Sequence, residues 1–309
     1  MPRKKSKRGG VAFGFVLTVG VLSLFTLILL ESNSGPTIIT VQMPDKLPSY
    51  SGFLQRYVPS DALQVSFDNL TAIRAINRSV IADQQFFELD EPKVSMNTTT
   101  IGWRLTVGLS APNATVTIVK LDPGTFGGLA TALTAAGNSN AIPTDKIGNL
   151  TVYAAAGAQA GEVQAYWLAV IPGDRTLLYS PGANLALQAM GRVLGVYAGS
   201  VTSILSRTDV DRMLFTVNGT EGHLALGIQE FVGSVQTGQA TLISVDAHQN
   251  SAFISYVVKF SDASQASAQV RAVRAAYISA HEFYQYDELV RAVEVQPDSQ
   301  LKVAVGLVG

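Results

Sequence analysis

Ile101–Leu121, IGWRLTVGLSAPNATVTIVKL, is the stretch on which the fold class turns. Two β-rich runs, Ile101–Leu109 and Ala114–Leu121, flank the turn signal Ser110-Ala111-Pro112-Asn113. This predicts an antiparallel hairpin. Upstream, Ala62–Phe67 alternates as a strand does, and Leu70–Phe87 carries Ile73, Ile76, Val80 and Ile81 at helical spacing. Downstream, Asp122-Pro123-Gly124-Thr125 introduces an Ala/Leu-rich helix over Phe126–Ala136, and Leu150–Ala155 reads as a further strand. The resulting order, β-α-β-β-α-β, is the split βαβ arrangement of ferredoxin-like domains.

The same order returns in the second half. Arg212–Val217 reads as a strand and Leu224–Val235 as a helix through Leu224, Ile228, Phe231 and Val235. Thr241–Val245 and Ala252–Phe260 read as a hairpin, and Ser264–Phe283 as a long helix. Strands Leu289–Val295 and Leu301–Leu307 meet at Pro297-Asp298. Fragments recur too: Ser60-Asp61, Phe67, Asn69 and Thr71 return as Thr208-Asp209, Phe215, Asn218 and Thr220. The expected architecture is therefore α+β, with two tandem ferredoxin-like (βαββαβ) units on antiparallel sheets. They occupy residues 58–181 and 208–309. Between them lie a hairpin, Val163–Ile171 with Thr176–Tyr179, at the end of the first unit, and a connecting apolar helix within residues 182–207.

The N-terminus carries an address. Arg3, Lys4, Lys5, Lys7 and Arg8 form a basic cytoplasmic tail (residues 1–10) ahead of the uncharged run Val11–Leu30. A helix of twenty residues rises about 30 Å, the thickness of a bilayer's hydrocarbon core. The run reads as a single transmembrane helix with its N-terminus held in the cytoplasm by the preceding cations. A polar stalk, residues 31–57, follows, and the bulk of the chain is placed outside the cell membrane. A retained signal anchor is favoured, because the run exceeds the 7–15 apolar residues of a cleavable signal. Cleavage after Ser34 is one alternative. Another rests on Lys7-Arg8-Gly9, which resembles the processing site of prepilins and archaellins and implies a filament subunit cut near Gly9. A second apolar stretch, Gly182–Ser206, is interrupted by Arg192 and reads as a buried helix.

Composition bounds the rest. The 309 residues are 47% hydrophobic and 15% charged, which suits a dry core. Beyond the first ten positions, 17 basic residues face 23 acidic ones, which argues against a nucleic-acid partner. No cysteine is present, so disulfides, thiolate metal sites and cysteine nucleophiles are excluded. A surface protein of this size without bridges points to an archaeal or bacterial envelope.

Six Asn-x-Ser/Thr sequons occur, at Asn69, Asn77, Asn97, Asn113, Asn149 and Asn218. Glycan attachment requires an exposed position in an extracytoplasmic compartment, which agrees with the orientation read from the anchor. No sequon follows Thr220, so residues 221–309 are the expected face for a protein partner in the envelope.

No catalytic, cofactor or metal residue emerges. His281-Glu282 opens a zinc-type HExxH pattern that Gln285 breaks. Asp209-Val210-Asp211 reads as an element's entry turn, Gly124–Gly128 as a turn rather than a phosphate loop, and Glu88, Asp90 and Glu91 as a charged loop. Trp103, Tyr166, Trp167, Tyr179 and Tyr197 read as core or sheet-face aromatics. Tyr277, Phe283, Tyr284 and Tyr286 are denser and form a candidate contact patch near the end of the predicted long helix. The function expected is a membrane-anchored, N-glycosylated surface protein with a non-catalytic binding or scaffolding role and no cofactor. A pilin-like subunit, an extracytoplasmic ligand-binding protein and a hydrolase are the rivals.

Overall fold

The computed structural model describes residues 37–38, 50–76, 85–89, 93–159, 162–182, 184–217, 223–232, 234–246 and 251–297. Contacts divide the chain into two units, Met1–Thr37 and Ile38–Gly309. The predicted membrane span, the rest of the basic tail and stalk before Tyr50 apart from Thr37 and Ile38, and the strand at Leu301–Leu307 lie outside the described residues. No helix among the described residues is long and apolar enough to cross a membrane.

The strands in chain order are β1 (Thr37–Ile38), β2 (Ala62–Asp68), β3 (Gln85–Leu89), β4 (Val94–Asn97), β5 (Ile101–Ser110), β6 (Asn113–Leu121), β7 (Thr144–Ile147), β8 (Leu150–Gln159), β9 (Glu162–Ile171), β10 (Thr176–Pro181), β11 (His223–Val232), β12 (Val235–Asp246), β13 (Ser251–Lys259), β14 (Glu282–Tyr286) and β15 (Leu289–Pro297). The helices are α1 (Ser51–Tyr57), α2 (Leu70–Ile76), α3 (Pro123–Asn138), α4 (Asn184–Tyr197), α5 (Thr208–Val217) and α6 (Ala263–Ala276).

The second unit is built on one continuous antiparallel sheet, not on two ferredoxin-like units. Its order runs β14-β15-β13-β12-β11-β2-β5-β6-β10-β9-β8-β3-β4, with β7 also on β8. The correction lies in β2, which would have opened a separate first unit. It pairs with β5 on one side and with β11 from the second half on the other. The β2–β11 ladder sets Gln64 opposite Gly227, Val65 opposite Leu226, and Phe67 opposite Leu224. Neither half closes its own sheet.

Sequential hairpins make up most of this sheet, because short polar turns join strands that become direct neighbours. The expected hairpin forms as β5 and β6, with Ser110 opposite Asn113 and Val107 opposite Val116. The pair β9–β10 forms with Ile171 opposite Thr176, and β12–β13 with Asp246 opposite Ser251.

Side chains alternate between faces along each strand, so the ladder dictates what each helix can bury. One face carries Val65, Phe67, Leu105, Val107, Ile118, Leu226 and Leu242, all buried. Against it pack α1 through Leu54 and Tyr57, α4 through Ala189, Met190, Val193 and Leu194, and α5 through Val210, Met213 and Leu214. Each helix presents apolar residues at intervals of three and four. An aromatic group fixes α1: Phe53 stacks on Phe67 at 5.1 Å and tilts against Trp103 at 4.6 Å. On the opposite face, α2 and α3 bury Leu70, Ile73, Phe126, Leu129 and Leu133 against Val119, Leu121, Leu168 and Leu177. Helix α6 buries Ala266, Val270 and Val273 against Val258 and Val290 on the same face, at the other end of the sheet.

Five predicted elements change type or length. Leu224–Val235 is strand β11 and its turn, not a helix; a bulge between Gly227 and Glu230 breaks the period of two and leaves helix-like intervals in the sequence. Arg212–Val217 belongs to α5, whose first turn holds Asp209 and Asp211 at the positive end of the helix dipole. The long helix expected over Ser264–Phe283 stops at Ala276, and Phe283 lies in β14. The expected helix over Leu70–Phe87 is described as a helix over Leu70–Ile76, Val80 and Ile81 lie outside the described residues, and Gln85–Leu89 is a strand. Helix α3, expected over Phe126–Ala136 after a turn at Gly124–Gly128, instead runs Pro123–Asn138 and takes those glycines into its first turns: Pro123 occupies its first position, and the Asp122 carboxylate accepts from the Gly124 and Thr125 amides at 2.9 and 3.0 Å.

One shared sheet has a thermodynamic signature. Leu105→Ala in the first half and Leu242→Ala in the second should each lower stability by about 2–5 kcal/mol. Both should shift the same single urea transition; two separable transitions, each moved by one variant, would contradict a common sheet.

Candidate functional site

The middle of the sheet has two unlike faces. Residues facing α1, α4 and α5 are apolar. On the opposite face, between the part covered by α2 and α3 and the part covered by α6, the strands present Thr115, Gly108, Gln64 and Gly227 across one row. Thr117, Thr106 and Ser66 form the next row. No apolar stripe is offered there for a helix to bury. Gln64 and Thr115 are exposed, while Ser66, Thr106 and Glu230 are half-buried.

Two adjoining clefts lie over these rows, with volumes of about 430 and 280 Å³. They share Gln64, Gly108, Thr115 and Glu230. Two glycines line them. A Cβ on Gly227 would collide with the Glu230 side chain, whereas one on Gly108 would make only an ordinary contact with Gln64. The bare backbone at Gly227 therefore lets the Glu230 side chain lie along the sheet. Glu230 reaches this position because the bulge after Gly227 displaces it from the ladder's regular alternation. It is the one ionisable residue among those lining the two clefts. The donor set is thus carboxamides and hydroxyls with a single carboxylate, suited to an uncharged, hydroxyl-rich ligand and unsuited to an anion.

Beside the clefts, Arg104 donates to Asp68 from Nε at 2.8 Å and from Nη2 at 2.7 Å. The Asp68 side chain is 1% exposed and that of Arg104 19%. This pair ties β2 to β5, where the two residues are direct partners. Among the described residues no group of three His, Asp or Glu side chains could hold a metal ion. His281 is exposed, and Glu282 opens a strand, not a helix.

The aromatic residues of the expected patch are divided by the pleat of β14. Phe283 faces α6, where the Arg274 guanidinium lies 5.1 Å from its ring centroid, and Tyr277 stacks on Tyr256 at 4.4 Å. The Tyr277 hydroxyl donates to Gln239 Oε1 at 3.0 Å. Tyr284 and Tyr286 share the other face, 6.3 Å apart, and Tyr286 packs on the large core. The residue that stands clear is Ile278, 89% exposed. Its turn is braced by the Ala280 amide on Tyr277 O at 3.0 Å and by Ser279 Oγ on Glu294 at 2.6 Å. Composition gave no sign of Ile278; its position became visible only once the predicted helix ended at Ala276.

Of the sequon residues, Asn113 and Asn149 are exposed at hairpin turns, β5–β6 and β7–β8. Asn69 and Asn97 are half-buried, and Asn69 Oδ1 accepts from the Ala72 amide at 3.0 Å as a cap for α2. Asn77 and Asn218 lie outside the described residues. Asn113 and Thr115 both line the larger cleft. Sequence reading gave the sequons but not this cleft, because its rows exist only through strand pairing.

No known protein family and no curated protein matches the chain. Among solved structures, the chain is similar to three crystal forms of TP0453. Form III aligns with a TM-score of 0.45 at 6% identity, over 80% of this chain and 95% of that one. Form I gives 0.44 at 11% identity over 80% and 94%, and form IV 0.44 at 6% over 81% and 96%.

Asp68→Asn leaves the half-buried Arg104 without its counter-charge and should cost about 1.5–3 kcal/mol in thermal or urea unfolding. Arg56→Ala, at a surface pair with Asp174, should cost under about 1 kcal/mol. Burial, reinforced by Glu294, pushes the Tyr256 phenol up to about 12. Its neutral form is favoured by folding, so its contribution is complete below pH about 10 and is lost as pH rises through about 12. Tyr256→Phe should flatten that alkaline decline; an unchanged profile would remove Tyr256 from the account.

Proposed function

We propose that this protein is a membrane-tethered, N-glycosylated extracytoplasmic surface protein that acts by non-catalytic binding or scaffolding in the cell envelope. Tethering rests on the N-terminal sequence: five cations, then an uncharged run of twenty residues. Glycosylation rests on the six sequons, two of which, Asn113 and Asn149, are exposed at turns.

The observation that carries the binding role is Ile278, 89% exposed and the most exposed large apolar side chain among the described residues, in the sequon-free stretch after Thr220. Val295, 43% exposed, lies in the same stretch, while Leu185, 54% exposed, and Tyr197 lie before it. Strand β14, whose aromatic residues adjoin this region, is ten strand positions from β8 and its Asn149 turn in the sheet order. An exposed aliphatic side chain on a hydrogen-bonded turn beside Tyr277 suits the buried centre of a protein contact. A sugar-free end is required of such a surface, since attached glycans would hold a partner off.

Protease added to intact cells should release peptides from residues 50–297, and full protection of those peptides would refute the external placement. Ile278→Asp should leave the melting temperature within a degree or two. It should also abolish cross-linking of the full-length protein to its envelope neighbour in native membranes. Unchanged cross-linking would move the contact elsewhere.

A further inference from the structure

We propose that the larger cleft is the seat of the protein's own glycan, the one attached at Asn113. This rests on the reading of the chain as a surface glycoprotein and names what one of its glycans does. Asn113 lines the cleft, as does Thr115, the hydroxyl residue of the same sequon. The register places Thr115 opposite Gly108 and Gly108 opposite Gln64, and Asn113 lies two residues along from Thr115, so Asn113 is about 12 Å from Gln64 across the sheet. The cleft's volume, about 430 Å³, falls in the range of about 300–1,000 Å³ typical of small-molecule sites.

The chemistry matches a neutral saccharide. Within the larger cleft the Gln64 and Gln229 amides both donate and accept, and the hydroxyls of Ser110 and Thr115 do the same. The Glu230 carboxylate accepts from two sugar hydroxyls. Gly108, which lines the larger cleft, carries no side chain, so a sugar ring can lie against the sheet there beside Gln64. Covalent attachment at the rim supplies the ligand at an effective concentration in the mM range, so contacts too weak to retain a free sugar suffice. The glycan would give a polar stretch of sheet the cover that no helix provides. Asn149 has no such neighbour: it is exposed on a separate turn and lines neither cleft.

Mild periodate oxidation of vicinal diols tests this on full-length glycoprotein from its native membranes, read site by site as glycopeptide masses. In the folded protein the Asn113 glycan should oxidise at least tenfold more slowly than in the same protein unfolded in urea. A Gln64→Ala/Glu230→Ala variant, checked for an unchanged melting temperature, should lose most of that protection. An Asn113 glycan that oxidises equally fast folded and unfolded overturns the seat while leaving the glycoprotein reading intact. Six bare sequons overturn both together, and a bare Asn113 beside occupied sites overturns the seat alone.

Discussion

The ladder between β2 and β11 is the constraint on which the rest of the molecule depends. Residues 64–68 and 223–227 come from opposite halves of the chain, and their backbone hydrogen bonds make one sheet of them. Pairing also fixes parity. Shifting either strand by one residue would turn Val65, Phe67, Leu224 and Leu226 away from the core and place Gln64 and Ser66 in it. The burial of a large apolar face under α1, α4 and α5 therefore selects this register over its neighbours. Asp68 and Arg104 reinforce the choice, because only this alignment gives the buried carboxylate its guanidinium.

The same parity explains why the sheet's middle stays open. A helix lands where it can bury a stripe of apolar side chains, and α3 and α6 find such stripes at either end of the second face. Between them the strands offer threonine, serine, glutamine and glycine, and covering these with a helix would bury polar groups without partners. The clefts are what remains. The bulge at Gly227 completes them by bringing one carboxylate over the row of glycines.

Local signals were legible where chemistry is local. The turn at Ser110–Asn113 and the hairpins at residues 163–179 and 241–260 are written in neighbouring residues and form as read. The errors arose where tertiary packing overrode a periodicity. Bulged β11 imitates a helix, since one extra residue converts an alternating pattern into steps of three and four. The segment after α6 keeps helical spacing through Phe283, yet β15 draws residues 282–286 into its ladder as β14. The aromatic patch consequently separates into residues on opposite faces, and Ile278, unremarkable in sequence, becomes the exposed one.

The sequence by itself determined the basic-to-apolar junction, the sequon positions, the absence of cysteine chemistry, and most strand and hairpin boundaries. Each of these follows from residues a few positions apart. Which strands become neighbours across the chain, and hence the single sheet, its polar middle and the cleft beside Asn113, was decided by the tertiary structure alone. The reason is physical: a sheet is joined through backbone amides and carbonyls that every residue shares. The choice among distant partners therefore falls to collective burial of side chains, which no local pattern records.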